Sequence, residues 1–148
     1  MGRLMRRWGV GGILLACLGI AGCGSGPVHA VGTCLKSGDG GGFPWLASRV
    51  SCDAVHHFEV FATWRPEDPE SGDVDDRVRE HCRTAFAGYV GVDRTESSLA
   101  IVTWLASYRD LDHTDGSALC LLYQPGVGDS FDTPAPKPMT GTAKDSRR

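Results

Sequence analysis

The sequence predicts an α+β domain: a small antiparallel sheet packed with one main helix and held by two disulfides. Three observations carry that expectation. One stretch, about 73–90, repeats its apolar residues at helical spacing; several short runs are rich in β-branched and aromatic types; and Cys34, Cys52, Cys82 and Cys120 are spread along the same region. In order along the chain, 49–52 and 56–64 read as strands, the second closed by Arg65-Pro66 because proline cannot donate to a ladder. Alternation along 56–64 places Phe58, Val60, Ala62 and Trp64 on one face, the expected core face, and His57, Glu59, Phe61 and Thr63 on the other. A turn rich in proline, acids and glycine then leads into the helix. Asp73 stands at its N-cap, and Asp75 and Asp76 lie where the positive end of the helix dipole favours them. Val74, Val78, Cys82, Ala85, Phe86 and Tyr89 share one helical face, so Cys82 is expected to point into the core, and Gly91 ends the helix. Residues 99–106 and 118–123 are the remaining strands, joined through the polar connection 110–116.

Four cysteines allow three pairings. Their gaps of 18, 30 and 38 positions contain no C-x-x-C unit to form half of a tetrahedral zinc site, so disulfides are expected and no metal is. Cys34 with Cys52 and Cys82 with Cys120 is the favoured pairing, since each joins elements that a small sheet and one helix bring side by side. An even set of disulfide cysteines also predicts an oxidising compartment.

The N-terminus agrees with export. Arg3, Arg6 and Arg7 precede the apolar stretch 8–20, which at thirteen residues is shorter than the roughly 20 that a membrane-spanning helix needs. Residues 1–22 therefore read as a signal peptide. Ile20-Ala21-Gly22-Cys23 resembles the bacterial lipobox, which implies that Cys23 takes a diacylglycerol thioether and becomes the first residue of a lipoprotein on the extracytoplasmic side of the cell membrane. The Gly- and Ser-containing stretch 23–32 is a flexible tether, 33–124 the folded domain, and 125–148, with Pro134, Pro136, Pro138, Lys137, Lys144, Arg147 and Arg148, a disordered tail. After residue 22 the chain holds twelve basic and eighteen acidic residues, a formal charge of −6, which repels nucleic-acid backbones. The expected partners are the membrane, through the lipid, and an envelope or division protein.

His56, His57 and Glu59 are the densest group of chemistry-bearing side chains. On a strand only His57 and Glu59 share a face, and with His113 or Asp112 they would be the residues of an envelope hydrolase or metal-dependent enzyme. A structural histidine beside a Cys34–Cys52 bridge is the preferred reading, because no third ligand lies in sequence reach. Asp110, Asp112 and Asp115 before Gly116 miss the spacing of a calcium loop, and Leu121 stands where its closing glutamate belongs. The glycine run 38–42 lacks a following Lys-Ser or Lys-Thr and is no phosphate loop. Beside it, Trp45 joins His56, His57 and Glu59 as a candidate ligand contact. No G-x-S-x-G elbow occurs, so no catalytic residue and no cofactor are expected.

The order Gly32-Thr33-Cys34-Leu35, Val50-Ser51-Cys52, His56, Glu59-Val60, Cys82 with Tyr89 and Gly91, Trp104, and Cys120-Leu121-Leu122 resembles the actinobacterial septum-formation domain family over roughly 32–123. In that family a Pro often precedes the histidine, where Val55 stands here. The resemblance implies a place in cell-envelope growth or division and no known reaction. Together with the lipobox it implies a lipid-anchored binding or scaffold domain of the envelope.

Overall fold

The computed structural model describes residues 29–38, 44–68, 71–105, 117–126 and 136–148. Among these residues six strands, β1 (Cys34–Lys36), β2 (Ser48–Val50), β3 (Phe58–Trp64), β4 (Ala100–Leu105), β5 (Ala118–Pro125) and β6 (Pro136–Lys137), accompany one helix, α1 (Val74–Val90), and a 3-10 turn at Pro44–Leu46. The sheet order is β2-β1-β3-β5-β4, every pairing is antiparallel, and β6 adds to the end of β5. This is the expected α+β fold with its one helix on a small antiparallel sheet.

β5 is the organising strand, and its sequence explains why. Ala118 to Tyr123 is buried without interruption, because both faces of the sheet are covered. Ala118, Cys120 and Leu122 meet the helix side, whereas Leu119, Leu121 and Tyr123 join Leu35, Phe58 and Val60 in a second cluster on the opposite face. Burying each large side chain contributes about 1.5–3 kcal/mol. α1 supplies Val78, Cys82, Phe86, Tyr89 and Val90 to the first cluster, and Phe86, fully buried with its ring edge-on to Phe61, is the side chain whose truncation would cost most, about 3–5 kcal/mol.

The single-face expectation for β3 is corrected by a bulge. The register with β5 shifts between Val60 and Ala62, so Phe58 and Val60 face the second cluster while Phe61, Ala62 and Trp64 all belong to the helix side. One extra residue reverses the alternation beyond it. The N-cap expectation is also changed: α1 begins after Asp73, but that side chain caps no backbone N–H and instead accepts a hydrogen bond from the Ser71 hydroxyl. Gly91 does end the helix, in the left-handed region at φ 86°.

Both disulfides form as favoured, Cys34–Cys52 and Cys82–Cys120, with Cα–Cα separations of 5.2 and 5.4 Å. The second links α1 to β5 inside the apolar core.

The largest departure lies at the C-terminus. Residues 125–148 were expected to form a disordered tail, yet Pro125 ends β5, and residues 136–148 run back over the domain as a strap. Met139 and Ala143 are buried in the helix-side cluster. His56 and Met139 exchange backbone hydrogen bonds, and Gly141 N–H donates to Cys52 O at 2.8 Å. The strap also completes the helix: Asp145 N–H donates to Tyr89 O at 2.8 Å and Arg147 N–H to Val90 O at 3.0 Å, satisfying carbonyls that a helix end leaves unpaired. Composition missed this because Pro, Lys and Arg enrich many unfolded tails, and two isolated buried side chains, Met139 and Ala143, leave no periodic pattern. At the other end Gly32 N–H donates to Val60 O, so the last residue of the expected tether already belongs to the domain. Among the described residues no helix is long and apolar enough to cross a membrane.

Candidate functional site

Where β1 crosses β3, Cys34 stands opposite Glu59. Glu59 is fully buried between Phe58 and Val60, which obliges the fold to supply it with donors. It does so from two directions. Tyr89 Oη, from the last turn of α1, donates to Oε1 at 2.6 Å; the strap adds Thr142 Oγ1, donating to Oε1 at 2.5 Å, and Ala143 N–H, donating to Oε2 at 2.6 Å. Three donors thus converge on one carboxyl group and meet the hydrogen-bonding demand that its burial creates. Burial first, and then the hydrogen bond to Glu59, push ionisation of the Tyr89 hydroxyl far above the usual tyrosine range.

His56 lies beside this group and is also fully buried. Its Nδ1 sits 2.9 Å from Ala54 O; a carbonyl only accepts, so Nδ1 is assigned as the proton-bearing nitrogen of this contact. Its Nε2 is buried and has no hydrogen-bond partner among the described residues. One ligand atom each from Cys34, His56 and Glu59 lie within 4.8 Å of one another. The sulfur, however, is in the Cys34–Cys52 disulfide and offers no thiolate, and both carboxylate oxygens accept protein hydrogen bonds. The group as arranged fastens the strap to the sheet and to the helix.

The pair expected from alternation, His57 with Glu59, is not the one that converges. β3 begins only at Phe58, so two-residue alternation does not extend back through His57 to His56. His57 instead accepts a hydrogen bond at Nδ1 from Ser37 N–H (3.1 Å), and burial, then the charge of Lys36, lower its pKa from 6.5. Trp45 lies in the Pro44–Leu46 turn. Trp64, half-buried, carries His81 stacked at 5.9 Å and the Arg77 guanidinium 5.3 Å from its ring centroid, an arrangement that covers the edge of the core. Cys23, Asp110, Asp112, His113 and Asp115 lie outside the described residues.

Tyr89, Thr142 and Ala143 were not found from sequence as partners of Glu59. The signal present was Glu59 itself, a lone carboxylate in Phe58-Glu59-Val60-Phe61, which requires buried donors without saying where they come from.

No curated protein and no solved structure matches the chain. A family model described as septum formation matches residues 18–113, well over half of the sequence, including β1 to β4, α1 and three of the four disulfide cysteines. The resemblance carried by Cys34, Cys52, Glu59-Val60, Cys82 and Trp104, all inside that stretch, is thereby confirmed, and the chain belongs to the septum-formation family.

Proposed function

We propose that the protein is a lipid-anchored binding or scaffold domain on the extracytoplasmic face of a bacterial cell membrane, acting in septum formation through its surface. Family membership supports the link to cell division and the envelope. The observation that carries the binding reading is the inward commitment of the chemistry-bearing cluster. Glu59 and His56 are fully buried, Cys34 is oxidised, and the carboxylate is spent on the strap. Two disulfides in a chain with a lipobox-like Cys23 support export to an oxidising compartment. Two acyl chains on that cysteine would supply stable anchoring to a chain of net negative charge.

Mass spectrometry of the mature, non-reduced protein tests anchoring: an acylated N-terminal Cys23 with two internal crosslinks is expected, and an unmodified N-terminus would reject the anchor. Replacing Cys23 by alanine at the native locus tests the role. Misplaced or delayed septa are expected under the microscope, and normal division in both this strain and a deletion strain would reject a function in septation.

A further inference from the structure

Along the edge of the sheet far from β2, the side of α1 and strand β4 enclose a cleft of about 200 Å³ lined by Arg79, Arg83, Arg94, Ile101 and Thr103. Arg79 and Arg83 are one helical turn apart and therefore side by side; Arg94 comes from the loop after the helix; Ile101 and Thr103 lie two apart on β4, on one face of the strand. Three separate elements thus bring three guanidinium groups and a hydroxyl to one small depression, and among the described residues no carboxylate lines it. This does not follow from composition, since the part of the chain beyond residue 22 is net −6.

The arginines are not consumed by internal pairing. Arg79 touches Asp76 at 2.9 Å and Arg83 touches Glu80 at 3.7 Å, each through Nη1 only, and in both pairs the side chains are mostly exposed, so solvent and salt screen them. Arg94 has no ion-pair partner among the described residues. The cleft is smaller than the roughly 300–1,000 Å³ of pockets for drug-sized ligands and suits an ion-sized group. Planar forked guanidiniums bind oxyanions through paired N–H donors, and a set of three matches a tetrahedral anion of more than one charge.

We infer that Arg79, Arg83, Arg94 and Thr103 form a binding site for a phosphate-bearing anion. This rests on the envelope-binding reading above and gives its ligand a chemistry; a failure to bind phosphate would leave acylation of Cys23 and the septal phenotype to be decided by their own experiments. Two sources carry that chemistry, a phospholipid headgroup and a phosphate free in solution or on a soluble polymer.

The test titrates the full chain with inorganic phosphate and with pyrophosphate, following arginine side-chain N–H resonances, and compares recruitment to vesicles of phosphatidylglycerol and of phosphatidylcholine. Saturable binding is expected, weakened at least about tenfold in Arg83→Gln/Arg94→Gln. Arg49→Gln, on β2 at the opposite edge of the sheet, should bind as the parent does. Arginine-dependent excess recruitment to phosphatidylglycerol assigns the headgroup; phosphate or pyrophosphate binding without it assigns the free or polymer-borne source. Binding no tighter than about 1 mM together with arginine-independent recruitment overturns the site. Equal weakening by Arg49→Gln overturns it as well. An unchanged thermal transition in each variant shows that loss of binding is not loss of the fold.

Discussion

Cys82–Cys120 and Cys34–Cys52 tie the same sheet, but they do so in opposite surroundings. The first joins α1 to β5 with both cysteines fully buried among Phe61, Phe86 and Leu122. The second joins β1 to the turn after β2; Cys52 is partly exposed, Cys34 abuts His56 and Glu59, and the strap bonds to the backbone of Cys52. An apolar contact tolerates small shifts because dispersion and burial fall off gradually, whereas a buried carboxylate needs every donor in place. The apolar bridge therefore reinforces a core that also holds by packing, while the polar one holds a corner whose parts depend on each other.

That contrast is broken first at the bridges. Cys82→Ala/Cys120→Ala is expected to cost about 4 kcal/mol, from a separation of 38 residues, read as a lower urea midpoint with the strap still docked. Cys34→Ala/Cys52→Ala should cost about 3 kcal/mol over its separation of 18 and, unlike the first pair, speed amide exchange at Met139, Gly141 and Ala143. Strap exchange that responds equally to both pairs would remove the distinction.

Tyr89→Phe sharpens it further. Removing one of the three donors to Glu59 is expected to cost about 1.5–3 kcal/mol while leaving both disulfides intact on non-reducing mass analysis. It also changes the alkaline limb. Because the folded protein holds the Tyr89 proton above the ordinary value of 10.0, this stability is complete below pH 10 and is lost as pH rises beyond it. Tyr123, raised by burial, adds to the same limb, so the phenylalanine variant should show a shallower decline rather than none. Equal slopes in chemical unfolding at successive alkaline pH values would dismiss the linkage.

The smallest effect belongs to His57. Its folded pKa lies below 6.5, so its contribution is present above pH 6.5 and lost as pH falls through the folded value, when protonated Nδ1 can no longer accept from Ser37 N–H. An imidazole titration followed by NMR should give a midpoint below 6.5, accompanied by a shift of the Ser37 amide. A midpoint above 6.5 would contradict the placement.

The matched family stretch ends at residue 113, before β5, Cys120 and the strap begin. Strand β5 and two of the three donors to Glu59 therefore lie beyond it. Glu59 and its helix donor Tyr89 fall inside the matched stretch, whereas the donors that the strap adds fall outside it.

Much of the fold was written locally. Helical periodicity over 73–90, Gly91 as its stop and the continuous apolar run of β5 are properties of neighbouring residues, and each element formed close to its expected bounds. The pairing of four cysteines followed from which elements a small sheet and one helix place together. Tertiary structure alone decided the rest. The β3 bulge turned Phe61 to the same side as Ala62, and it arises from the register with β5, which no local pattern reports. His56, rather than His57, met Glu59 because β3 starts two residues later than its composition indicated. Asp145 and Arg147 take left-handed backbone conformations that cost free energy locally and are held by hydrogen bonds to Tyr89 O and Val90 O. Periodicity and capping act over a few residues and leave their mark in sequence; a buried charge and a helix end recruit partners across 83 positions, from Glu59 to Thr142, by a proximity that only the folded chain creates.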